Sequence, residues 1–164
     1  MASCEYAERW QRSLFVDVAS LHAYLGLVIR RSPHFVAYVA LTSVGSGPQI
    51  DIVGDGRIAS GAVQAQHLIR ELGGVFHEVL SAAQAVLGWD GISASCAFPP
   101  MDETVADHKC MPRACKLVAR GRYDATASDI SANELFETAV VSVDLFEAAA
   151  RIREHLALPQ RTSA

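Results

Sequence analysis

The residue types best suited to chemistry cluster between His108 and Tyr123. The run His108-Lys109-Cys110-Met111-Pro112-Arg113-Ala114-Cys115 places an imidazole and two thiols within eight positions, and Cys96 closes an earlier apolar run. Three thiols and an imidazole are the donor set of a tetrahedral zinc site. Structural zinc sites usually carry paired Cys-x-x-Cys units, and none is present. Cysteine is also among the residues most often buried, and Cys96 and Cys115 sit on apolar strand-like runs. The expectation is free thiols, with no metal and no cofactor.

The arginines of the same region point to anion recognition. Arg113 follows Pro112, whose fixed φ stiffens the turn, and it precedes an apolar strand that would anchor its backbone. A planar guanidinium in that position can grip a carboxylate through two parallel hydrogen bonds. Arg120 and Arg122 fall on one face of the strand by two-residue alternation, and Tyr123 follows them. Solvation, or pairing with the chain's many carboxylates, is the plainer alternative for all three arginines. His67 and Glu71 lie one helical turn apart, so the carboxylate could orient the imidazole for proton transfer or form a surface salt link. His34 and His77 stand alone and receive no role.

These residues must be positioned by a mixed set of elements. In Arg57–Gly88 the apolar positions Ile58, Ala62, Ala65, Ile69, Leu72, Phe76, Val79, Ala83 and Val86 recur three or four apart, which predicts one long helix with a single buried face. Its interior pair Gly73-Gly74 predicts a close backbone approach or a bend. Further apolar residues outside that stripe (Val63, Leu68, Val75, Leu80 and Leu87) predict self-association, as a trimer or a dimer.

Residues 3–21 predict an amphipathic N-terminal helix. Ala23–Arg31 and His34–Thr42 predict a hairpin turning at Ser32-Pro33, because proline cannot donate to a ladder. Gln49–Val53, Ile92–Phe98, Arg113–Asp124 and Phe136–Val143 predict further strands. Asp144-Leu-Phe-Glu147 is a capping signal that predicts a last helix over Leu145–Leu158. Residues 159–164 are expected to fray. The resulting order, α-β-β-β-α-β-β-β-α, has too few crossover helices for a doubly wound sheet. It predicts an α+β fold, a mainly antiparallel sheet packed on one long central helix, in a single domain over residues 1–164.

A length of 164 residues suits one core. The net charge of −4 argues against nucleic acid and against anionic membrane surfaces, which select basic stripes. No apolar run approaches the roughly 20 residues that cross a bilayer, and four cysteines without a dense framework fit reduced thiols. A cytoplasmic location is expected.

Val79–Phe98 resembles the helix-to-strand passage of the Rid (imine deaminase) family, and Met111-Pro112-Arg113-Ala114 resembles that family's substrate-binding turn, with the arginine one place early. The pairing of RACKLVA with ELFETAVVSVDL resembles the last hairpin of the trimeric chorismate mutases. The resemblance implies Arg113 and Glu137 as site residues; in an enzyme Arg113 would hold a substrate carboxylate, and Arg120 or Glu137 would stabilise charge or position a water. Arg122, Tyr123 and His108 complete the substrate-binding candidates. The implied function is a small-molecule enzyme taking a carboxylate-bearing substrate in an inter-subunit cleft, by imine hydrolysis or pericyclic rearrangement. The alternative is a non-enzymatic acidic homodimer resembling secretion chaperones or roadblock modules. Strand or helix at residues 136–145 would separate the two.

Overall fold

The computed structural model describes residues 2–43, 47–54, 62–98, 114–119 and 144–157. Two helices open the chain, α1 (Ala2–Trp10) and α2 (Leu14–Tyr24), where the sequence predicts one. Gln11 separates them. It adopts the left-handed conformation at φ 53°, and its side-chain amide donates to the Glu8 carbonyl at 2.9 Å, so the helix cannot continue through it. Ser13 then starts α2, its carbonyl accepting from the Asp17 amide.

The end of α2 corrects a second boundary. Ala23–Leu25 has strand-like composition, yet it closes the helix. Gly26 sits at φ 73°, the Leu27 amide donates to the His22 carbonyl at 2.8 Å, and the Gly26 amide donates to Ala23. This glycine-centred cap turns the chain sharply. It sends Leu27 fully into the core and delays β1 to Val28–Arg31.

Strands β2 (Phe35–Val39) and β3 (Gln49–Gly54) follow, then α3 (Ala62–Leu87), β4 (Ile92–Ala97), β5 (Ala114–Ala119) and α4 (Leu145–Ala157). The hairpin at Ser32-Pro33 and the helix after Asp144 form as expected. Asp144 Oδ1 accepts from the amides of Phe146 and Glu147, at 2.9 and 3.1 Å. The expected strand at Phe136–Val143, and with it the segment that would separate the two functional alternatives, falls outside the described residues up to position 143.

The five strands form one antiparallel sheet in the order β1-β2-β3-β5-β4, with β5 inserted between β3 and β4. On the inner face the register aligns Ala37, Ile52, Cys115 and Cys96 in one row, and Val39, Ile50, Leu117 and Ala94 in the next. Most of these side chains are buried in the core. Burying a side chain of leucine or isoleucine size contributes about 1.5–3 kcal/mol, so these rows set the register.

Two helices, not one, pack on the β1–β2 side of the inner face. α3 and α4 pack against each other and both reach β1 and β2. Leu68, Leu72, Val75 and Val79 of α3 meet Ala149 and Ile152 of α4 there. The buried stripe of α3 is rotated from the expected one: Leu68 is fully buried and Ile69 is 59% exposed. Leu68 and Val75, which the sequence pattern assigns to a subunit contact, belong to the chain's own core. An added Cβ at Gly73 or Gly74 would meet nothing within 4 Å, so no close backbone approach accounts for that pair.

α2 lies over the other face. Its His22 stacks on Tyr38 of β2 with ring centroids 4.1 Å apart. His22 Nδ1–H donates to the Val18 carbonyl at 2.7 Å, and Nε2 accepts from the Leu41 amide at 3.3 Å, which fixes the tautomer. No helix among the described residues is long and apolar enough to cross a membrane.

Candidate functional site

The outer face of the sheet carries a polar row that runs across four strands. Alternation turns Tyr38, Asp51, Lys116 and Ser95 away from the core, and the register places them side by side on β2, β3, β5 and β4. Neighbouring side chains on one face lie roughly 4.5–5.5 Å apart at their Cβ atoms. The row therefore aligns a phenol, a carboxylate, an ammonium and a hydroxyl in sequence, with the phenol covered by α2. Lys116 and Ser95 are exposed, Asp51 is half-buried, and Tyr38 is buried beneath His22.

Asp51 is the electrostatic centre of this row. Burial pushes its carboxyl above the ordinary value of 3.8. The Gln49 amide, donating to Oδ1 at 2.6 Å, and the Lys116 ammonium pull it back in part. Asp51 is thus a carboxylate held in a half-buried place against its desolvation cost, with a cation on the neighbouring strand. Burial, and then the charge of Asp51, push the Tyr38 phenol well above its usual range, so it remains a hydrogen-bonding hydroxyl at neutral pH.

A second polar cluster sits where the β1–β2 turn meets α3. Glu71 Oε1 accepts from the Ser32 hydroxyl at 2.5 Å and from the His34 backbone amide at 2.9 Å. Its Oε2 accepts from His34 Nδ1–H at 2.7 Å, and His67 Nδ1 approaches the same oxygen at 4.0 Å. The Glu71 side chain is 12% exposed. Burial by itself would raise its carboxyl, but the hydrogen bonds from Ser32 and His34 outweigh that and hold it below its ordinary value. Ser32 and His34 also line a cleft of about 260 Å³ that opens beside α2.

The sequence-predicted candidates distribute unevenly over this geometry. Arg113, Arg120, Arg122, Tyr123, His108 and Glu137 all lie outside the described residues, as does Cys110. Cys96 and Cys115 are cross-strand partners on β4 and β5. Cys115 is 1% exposed, and burial, with a hydrogen bond that its S–H donates to the Cys96 sulfur, pushes its thiol up to about 12. That is the environment of an inert core thiol. The pairing of His67 with Glu71 is present, though Glu71 is chiefly engaged by Ser32 and His34.

Sequence reasoning missed Asp51, Lys116, Tyr38, Ser32 and His34. Asp51 left a signal, a carboxylate at the centre of the apolar run Gln49-Ile-Asp-Ile-Val53. His34 left none, because its partner lies 37 positions away.

Comparison with known proteins places the fold. No family model matches the chain, and no curated protein does. Solved structures match: a uridylyltransferase at TM-score 0.72 and 16% identity, covering 96% of this chain and 50% of that one. An ADP-glucose phosphorylase from Arabidopsis thaliana with bound ADP-glucose matches at TM-score 0.65 and 20% identity, covering 93% and 46%. A zinc-bound histidine triad family protein from Mycobacterium smegmatis matches at TM-score 0.52 and 13% identity, covering 85% and 91%. The chain spans about half the length of the first two proteins.

These matches overturn the resemblance to the Rid family and the trimeric chorismate mutases. The segments that carried it are short, and a helix followed by a strand of small residues is a local pattern that many sheets share. The chain has the fold seen in uridylyltransferase, ADP-glucose phosphorylase and histidine triad proteins.

Proposed function

We propose that this chain is a domain of a small-molecule enzyme whose ligand is a nucleoside phosphate or nucleotide sugar, held against the outer face of the sheet. The observation that carries the reading is the row Tyr38-Asp51-Lys116-Ser95 on a fold shared over nearly the whole chain with a uridylyltransferase and a phosphorylase that binds ADP-glucose. A carboxylate recognises ligand hydroxyls, and an ammonium beside it recognises a phosphate oxygen. The anion expected from the arginines becomes a phosphate in this reading, since a guanidinium grips phosphate by the same forked contact as carboxylate. Arg113 and Arg120 flank β5 in the sequence, on either side of the strand that carries Lys116. They are the proposed phosphate-holding groups, with Arg122, Tyr123, His108 and Glu137 as further ligand contacts. Imine hydrolysis and pericyclic rearrangement came with the overturned resemblance, and group transfer at a phosphate is proposed in their place.

The test is thermal unfolding with ADP-glucose, UDP-glucose and the free nucleotides, in the presence of a chelator. A ligand at a hundred times its Kd stabilises the native state by about 2.7 kcal/mol. For a domain of this size that is roughly 5–10 °C in Tm. Lys116→Ala and Arg113→Ala should each weaken the effective affinity by about ten- to a hundredfold, the loss of a charge-assisted contact. The absence of any shift at millimolar nucleotide, or equal shifts in wild type and both variants, would sink the proposal.

A further inference from the structure

The geometry points to a divalent-cation site between the β1–β2 turn and α3, with His34, His67 and Glu71 as its protein ligands and zinc as the ion it fits. One donor atom from each of the three residues lies within 4.8 Å of the other two. A tetrahedral zinc with bonds of about 2.0–2.1 Å holds its donors about 3.3 Å apart. His34 Nδ1 and Glu71 Oε2 are 2.7 Å apart and open slightly; His67 Nδ1 and Glu71 Oε2 are 4.0 Å apart and close slightly. The closing movement falls on His67, which is 66% exposed. In the bound state the cation replaces the proton that His34 Nδ1 now shares with Glu71, and that proton moves to Nε2.

Donor chemistry selects the ion. Two imidazoles and one carboxylate form a common set for zinc with an open fourth position. Magnesium and calcium demand oxygen donors and are disfavoured by the two nitrogens. The carboxylate is oriented before any ion arrives. Ser32 and the His34 amide fix Oε1 and leave Oε2 directed at both imidazoles, the supporting shell that a metal site requires. His67, 66% exposed, keeps the site open to solvent, where a water or a ligand oxygen takes the fourth position. None of this depends on the nucleotide reading, because the site is assembled from the β1–β2 turn and α3, not from the polar row.

The experiment is calorimetric titration of the full chain with zinc chloride after removal of metal by chelator. Wild type should take up one zinc per chain at this site. His67→Ala, at an exposed position that leaves the fold intact, and Glu71→Gln should each weaken that uptake at least a hundredfold. Ser32→Ala should weaken it about ten- to a hundredfold, as loss of a supporting contact does. Cys110→Ser should leave it unchanged. Cobalt substituted into wild type should show a tetrahedral visible spectrum without a thiolate charge-transfer band. Failure of wild type to bind zinc overturns the assignment. Zinc that survives His67→Ala, zinc lost with Cys110→Ser alone, or a thiolate band in the cobalt spectrum each overturns it as well.

Discussion

Replacing Glu71 with alanine separates a buried hub from a surface ion pair. The carboxylate accepts three hydrogen bonds, at 2.5 Å from Ser32, 2.9 Å from the His34 amide and 2.7 Å from His34 Nδ1. A hydrogen bond to a charged group contributes about 1.5–3 kcal/mol net when buried. Here the Glu71 side chain is 12% exposed and that of His34 35%, so water recovers part of the loss. The sum falls at about 2–4 kcal/mol for Glu71→Ala, or roughly 5–15 °C in Tm for a chain of this length.

Glu71→Gln should cost only about 1 kcal/mol. Its amide oxygen still accepts from Ser32 and the His34 backbone, and its NH2 can donate to His34 Nδ1 once that ring changes tautomer. If instead Glu71 served only His67 as an exposed pair one turn away, alanine would cost about 0.5 kcal/mol or less, and salt would screen even that. The assay is urea unfolding at pH 7 with chelator present, so that no metal contributes. A loss below about 1 kcal/mol for Glu71→Ala, or equal losses for alanine and glutamine, would refute the hub.

Asp51→Asn tests whether the polar row is held at the expense of stability. Burial raises the Asp51 carboxyl above 3.8, so the native state binds its proton more tightly than the unfolded chain, and stability falls as pH rises from 3.8 through the raised value. Asparagine keeps an acceptor for Gln49 and removes that burden, so the variant should be the more stable at pH 7 and equal to wild type below about pH 3.8; lower stability at pH 7 in urea melts would contradict this. Gly73→Ala and Gly74→Ala face open space on α3 and should each stabilise by about 0.5–1 kcal/mol in the same melts, whereas a loss would show that the helix needs these glycines. The Cys115 thiol, pushed up to about 12 from 9.0, should alkylate on the order of a thousandfold more slowly than an ordinary thiol at pH 8, and labelling of native Cys115 as fast as exposed Cys96 would refute its burial.

What the sequence by itself determined is what short-range chemistry determines. Pro33 breaks the ladder and makes the hairpin, alternation in Gln49–Val53 makes β3, and Asp144 caps α4; each rests on contacts within a few residues. Even at this range the ends of elements depended on backbone conformation. Gln11 and Gly26 in left-handed conformations split one expected helix and moved β1, since composition does not report φ. The sites belong to tertiary structure. Asp51 meets Lys116 only because β5 inserts between β3 and β4, and Ser95 joins them by a register set on the opposite face, where Ile52, Cys115 and Leu117 must be buried. His34 meets Glu71 across 37 positions because α3 packs back over β1 and β2, its stripe turned to bury Leu68 in place of Ile69. Periodicity specifies that a helix has a buried face. Which residues lead that face, and which polar groups are carried to its rim, follows from how two helices share one side of a twisted sheet.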